Sequence, residues 1–215
     1  MDAMLDNIDL LLRGFTETAK LLVASGALAM LLGTVVAVAR VSPVSVLRAA
    51  GTTYVTLFRN TPLLMLILIT YYGMPRLGID FGFFGNITLA MGVYTSAFIA
   101  EALRSGVNGV PLGQAEAARA IGMPFTMTMT QVVLPQAFRI VVPPLVSQLI
   151  ALTKNTSLAA TFGIAEATFR LNGMLRDFPA DRWWIFGGYA LGYIVIVAVL
   201  SAIAISLERR WKVGR

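Results

Sequence analysis

The sequence predicts an all-α polytopic membrane protein, and three observations predict it. Apolar residues make up 57% of the 215-residue chain, charged residues only 13%, and the mean hydropathy is +0.77. A soluble domain is nearer about 45–50% apolar and about 25% charged. The apolar surplus is gathered in runs long enough for a hydrocarbon core of about 30 Å, which takes roughly 20 residues of helix. Between those runs lies one polar, proline-punctuated stretch, Glu116 to Pro135.

Taken in order, residues 1–15 read as an amphipathic helix lying on the outer surface. Met4, Leu5, Ile8, Leu11, Leu12 and Phe15 share one helical face, with Asp2, Asp6, Asp9 and Arg13 opposite. The rest, 16–215, reads as one transmembrane domain. Spans are expected at about 19–39, 53–72, 87–103, 140–152 and 183–207. The first is too long for a signal-peptide core and follows acidic residues. Gly26 and Gly33 fall on one of its faces and suit close packing. In the second, Thr61 before Pro62 caps or bends the helix. The fourth is short and carries Pro143-Pro144, so a kink or break is expected there. In the fifth, Trp183 and Trp184 stand about 40 Å of helix from Trp211, the spacing of two interfacial belts.

The net charge of +6 has to be read loop by loop. Segment 40–59 holds Arg40, Arg48 and Arg59 with no acid. The tail 208–215 sets Glu208 against Arg209, Arg210, Lys212 and Arg215. The first 17 residues hold Asp2, Asp6, Asp9 and Glu17 against Arg13. Five spans with the N-terminus outside put the loop at about 40–59, the loop at about 104–139 and the tail in the cytoplasm. An even number would break that agreement.

Function is bounded by what is missing. There is no Cys and no His, which removes disulfides, thiol and imidazole catalysis and nearly all zinc chemistry. None of Lys20, Lys154 and Lys212 follows a glycine, so no Walker A loop exists. Any ATP-driven work needs another subunit.

The polar stretch has its own logic. Pro111 and Gly113 precede Gln114 to Ala120, a strong helix former, and Gly122-Met123-Pro124 ends it. Small alanines permit close approach to a partner, while Glu116 and Arg119 offer charged contacts. A second helical stretch, Phe125 to Val133, is expected to end at Pro135. Glu116, Ala117, Ala118, Gly122, Val132, Leu134 and Pro135 match the spacing of the EAA signature, with Val132 where Ile is usual. That signature resembles the loop by which membrane subunits of bacterial ABC importers dock on their ATPase.

The likeness extends from about Arg13 to the end of the chain. Arg59-Asn60-Thr61-Pro62-Leu63-Leu64, Tyr94 through Gly122, Leu134-Pro135-Gln136-Ala137 and Lys154-Asn155-Thr156-Ser157-Leu158 resemble the polar amino-acid ABC permeases of the histidine/glutamine/glutamate type. The wording is most similar to the actinobacterial glutamate branch. The resemblance implies a five-helix type I importer fold in the bacterial cytoplasmic membrane. It also implies a second permease subunit, identical or paralogous, two ATPases that bind ATP and Mg, and an external amino-acid-binding protein. Gly113, Glu116, Ala117, Ala118, Arg119 and Gly122 would then couple to the ATPase, and the chain itself would be no enzyme.

Candidate pathway residues are Thr61, Glu101, Lys154, Asn155, Thr156 and Ser157. Glu101 either contacts ligand or pairs with Arg104 one turn on. Lys154, after the expected break, either meets a substrate carboxylate or snorkels to the outer surface. Arg59 and Arg139 read as interfacial anchors. The expected function is import of a polar amino acid, glutamate first, with glutamine or a basic amino acid as alternatives. An ion-driven secondary transporter is the rival class, although no inverted repeat is visible.

Overall fold

A computed structural model describes residues 2–211. The tail 212–215 lies outside the described residues, as do the Trp211, Arg210 and Glu208 side chains, so the far aromatic belt and the basic tail are not placed. Helix α1 (Asp2–Asp6) leads at Asn7 into α2 (Ile8–Val41). Residues 8–15 are thus continuous with the helix of the first span and do not form a helix of their own. Their apolar face is divided: Met4, Leu11 and Phe15 pack on Ile185 and Tyr189, whereas Leu5, Ile8 and Leu12 stay exposed. Gly14 explains the docking, since a Cβ there would sit 3.0 Å from the Ala167 backbone.

The second span is α3 (Ser45–Asn60) and α4 (Leu63–Leu68), continued by a π turn at Ile69–Gly73 and α5 (Met74–Arg76). Its halves meet at 99°. Pro62 donates no N–H, and the residue before a proline avoids the helical region. Thr61 is accordingly extended, and its hydroxyl donates to the Leu57 carbonyl at 2.8 Å. The bend lies here and not at Pro143-Pro144.

Helix α6 (Gly82–Asn108) is the most buried span and packs along α2. Gly33 permits that approach: a Cβ there would lie 2.7 Å from Ile99 Cγ2 and 2.9 Å from the Ser96 carbonyl oxygen. Gly26, seven residues away, meets Leu149 and Leu152 of another helix at ordinary distance. The two glycines of that face thus meet two different helices, α6 and α9.

After α6 come α7 (Leu112–Ala120), α8 (Phe125–Met127), a π turn at Thr128–Val133 and α9 (Leu134–Asn155). Pro135 does not end the second stretch of this loop. It occupies the first turn of α9, where a missing N–H costs little. Pro143 and Pro144 sit inside an unbroken α9 that packs on α6 and the last helix, and this packing outweighs two lost donors. At Thr156–Phe162 the chain tightens into a 3₁₀ helix instead of unwinding. It then passes through α10 (Ala167–Asp177) to α11 (Arg182–Trp211).

Ile8–Val41, Gly82–Asn108, Phe125–Phe162 and Pro179–Leu207 are each long and apolar enough to cross a membrane, and the bent pair brings the number up to five. All regular structure among the described residues is helical. Only 6% of the apolar window in Pro179–Leu207 is buried, so α11 turns most of its surface outward, to lipid or another chain.

Candidate functional site

Four constellations stand out, and the loop between α6 and α9 is the first. Alanine-rich α7 forms where expected and stops where expected. Gly122 takes a left-handed conformation, φ +86°. Its N–H donates to the Arg119 carbonyl at 2.9 Å, and the Met123 N–H to the Ala118 carbonyl at 3.1 Å. This is the Schellman closure that favours glycine. The helix is held from one side: Ala118 is buried, and Ala115 packs against the cluster of Val110, Val133 and Ala137. Gly113, Glu116, Ala117 and Arg119 are exposed on the other side. Leu112 and Ile121, each 80% exposed, flank them. A short helix anchored on one face, with charge and bare apolar side chains on the other, is built to be covered.

The second constellation centres on Glu101. Its carboxylate accepts a hydrogen bond from Arg104, one turn on, at 3.0 Å. It accepts another from Arg40 of α2, and Arg59 of α3 comes within 3.6 Å. The Arg59 guanidinium also stands over the Phe98 ring, 5.3 Å from its centroid. Three helices are therefore tied through one carboxylate, at the end of the bundle that carries α7. The i,i+3 partner was readable from spacing. Arg40 and Arg59, read as loop charges, were not.

The third lies around Lys154. Lys154 and Ser157 line a cavity of about 520 Å³ together with Tyr193, Ile194, Val197 and Ala198 of α11. The Ser157 hydroxyl donates to the Lys154 carbonyl at 2.7 Å. Thr156 is fully buried, and its hydroxyl donates to the Thr153 carbonyl at 2.6 Å. Asn155 closes α9. Thr61, at the bend of the second span, has its hydroxyl bonded to Leu57. Lys20 is exposed and paired with Glu17 at 2.6 Å.

A fourth cluster has no counterpart in the sequence reading. Glu166 is fully buried at the start of α10 and caps it, accepting from the Phe169 N–H at 2.9 Å. Tyr193 donates to the same carboxyl at 2.9 Å, and Thr18 Oγ1 lies 3.4 Å away. The one local cue was an acid immediately before a helix start.

The chain as a whole is similar to known proteins. The family of binding-protein-dependent transport system inner membrane components matches residues 29–213. The glutamate transport system permease protein GluC of Corynebacterium glutamicum is 39% identical over 198 residues, covering 86% of this chain and 87% of that one. The probable glutamine ABC transporter permease protein GlnM of Bacillus subtilis is 35% identical over 207 residues, covering 96% and 95%. A crystal structure of an amino acid ABC transporter with histidines superposes with a TM-score of 0.88 at 28% identity, covering 96% of each chain. The chain therefore belongs to the binding-protein-dependent transport system inner membrane components, and within them it is a multi-pass permease of the polar amino-acid ABC importers, with the type I fold.

Proposed function

We propose that this permease carries glutamate into the cytoplasm, driven by ATP that a partner hydrolyses. The observation that carries the coupling half is α7, packed on 128–133 through Ala115 and Ala118 while Glu116, Ala117 and Arg119 face outward. Two ATP-binding subunits, each holding ATP and Mg, would seat this helix. A second permease copy or paralogue completes the pathway, and an external binding protein delivers ligand. Closure of the ATPases pushes on the 109–124 segment as a rigid lever and swaps the spans between two arrangements. The chain supplies no chemistry of its own. It sits in the cytoplasmic membrane with its N-terminus outside, because segment 40–59 is basic and the first 17 residues are acidic.

For the substrate, the support is the likeness to GluC and the placement of Lys154. An acidic amino acid carries a second carboxylate that needs a positive partner in a low-dielectric passage. Lys154 offers that charge at the exposed end of α9, beside a cavity whose own lining is almost wholly apolar. Glutamine is the second reading, favoured by the likeness to GlnM. Competition for uptake in proteoliposomes carrying the complete complex separates them. Excess glutamate should suppress glutamate uptake more than excess glutamine, arginine or histidine does. A preference for arginine or histidine would end the acidic assignment and leave the permease assignment intact.

A further inference from the structure

A cavity of about 530 Å³ opens beside the Glu101 cluster, lined by Arg40, Arg104 and one face of α3. That face is Ser45, Arg48, Ala49, Thr52 and Thr53, spaced i, i+3, i+4, i+7 and i+8. A polar stripe at the start of a span has to meet something polar. Three guanidiniums line the cavity and no acid does. Among the described residues Glu101, behind them, is the one carboxylate paired with this cluster, so positive charge remains in excess.

The guanidiniums are not all satisfied. The Arg40 side chain is only 9% exposed, and its Nε–H has no hydrogen-bond partner; the buried Arg104 Nε–H has none either. A buried charged donor without an acceptor is costly. The first turn of α3 opens on the same cavity, with no side-chain cap and no acid among its residues. Arg48 is held at the rim, where its Nη1 donates to the Ser42 and Pro43 carbonyls at 2.9 and 2.7 Å. Flanking this basic pocket, Val44 and Val46 are 50% and 73% exposed. Bare aliphatic surface beside buried guanidiniums at the end of a span is the chemistry of a lipid, with a headgroup and chains, more than that of a free anion.

We propose that this cavity binds the phosphodiester headgroup of an anionic phospholipid from the leaflet beside the α7 loop. Arg40, Arg48 and Arg104 face the phosphate, the Ser45, Thr52 and Thr53 hydroxyls face the glycerol oxygens, and the chains lie along Val44 and Val46. The proposal rests on the chain spanning a bilayer and is independent of substrate and of which way round the chain sits.

Native mass spectrometry of the whole complex, released from nanodiscs of equal parts phosphatidylglycerol and phosphatidylcholine, tests it. Phosphatidylglycerol should be retained in preference to phosphatidylcholine. Arg48→Gln, at the exposed rim and away from Glu101, should weaken retention about tenfold, the effect of one charge-assisted hydrogen bond. Arg139→Gln, an exposed cation on another helix, should leave it unchanged. Equal retention of both lipids, or equal loss in both variants, overturns the proposal. So does stabilisation of the lipid-depleted complex by inorganic phosphate to the extent phosphatidylglycerol gives, which would make the pocket a free-anion site. Loss of the ATPase from Arg48→Gln with lipid retention intact would overturn it in favour of a protein contact.

Discussion

The Tyr193 phenol of the last span donates to the fully buried carboxyl of Glu166, 2.9 Å away, and links α11 to the head of α10. The same carboxyl caps α10 through the Phe169 N–H, with Thr18 of the first span 3.4 Å off, and the Thr18 oxygen in turn accepts the Ala167 N–H at 3.2 Å. Two spans and the helix that joins them to the fourth are thereby closed around one acid.

Removing a donor from that acid should weaken the fold. Tyr193→Phe leaves a buried carboxyl short of one hydrogen bond and should cost about 1.5–3 kcal/mol. Glu166→Ala should cost more, because it also removes the α10 cap, while the phenol keeps only Thr168 Oγ1, 3.0 Å away. Denaturation midpoints of the purified protein in one detergent check this. Equal stability of Tyr193→Phe and wild type would mean the bond carries nothing.

The Glu101 cluster predicts an asymmetry. Glu101→Ala strands Arg40, whose side chain is 9% exposed, along with Arg59 and Arg104, and should destabilise by about 3–5 kcal/mol. Arg59→Ala removes the most distant partner, itself 43% exposed, and should cost no more than about 1 kcal/mol. Thermal unfolding of both variants reads the difference, and similar losses in the two would refute the hub role of Glu101.

Coupling is tested in the loop. Glu116→Lys reverses the charge on the exposed face of α7, and Gly122→Leu forces a left-handed backbone on a β-carbon, a strain of roughly 1–2 kcal/mol. Nothing lies within 4 Å of a Cβ at Gly122, so the strain is conformational and local. Both variants should insert and fold, and both should lose ligand-stimulated ATP hydrolysis. Normal stimulation in both would detach this helix from the ATPase.

Orientation has a direct readout. Reporters inserted at Gly109 and fused after Arg215 should respond as cytoplasmic, and one at Gly78, in an exposed turn with φ +79°, as external. A cytoplasmic response at Gly78 would dismiss the five-span orientation.

The substrate assignment turns on Lys154. Lys154→Met in the reconstituted complex should lower glutamate uptake at least tenfold, the effect of roughly 1.4 kcal/mol, while assembly with the ATPase is kept. Full uptake would show that Lys154, exposed at the end of α9, only reaches for solvent.

What the sequence alone determined was local. The apolar runs fall within the long helices and the bent pair, the alanine run and Gly122 placed α7 and its stop, and the i,i+3 spacing allowed Glu101 to pair with Arg104. These are relations within one helix, set by the period of the chain itself. Even a bend at Thr61-Pro62 was readable as a choice between capping and bending, because proline acts on its own neighbours.

Tertiary structure decided the rest. Pro143-Pro144 carries a stronger local signal for a break than Thr61-Pro62, yet α9 runs through it while the second span turns by 99°. Helix interior prolines cost only a few kcal/mol each, and packing against two neighbouring helices can outweigh that. Arg40 joins Glu101 from 61 residues away, and Thr18 approaches Glu166 from 148. A buried charge takes its partner from whichever helix packing brings beside it, and no spacing along the chain encodes that neighbour.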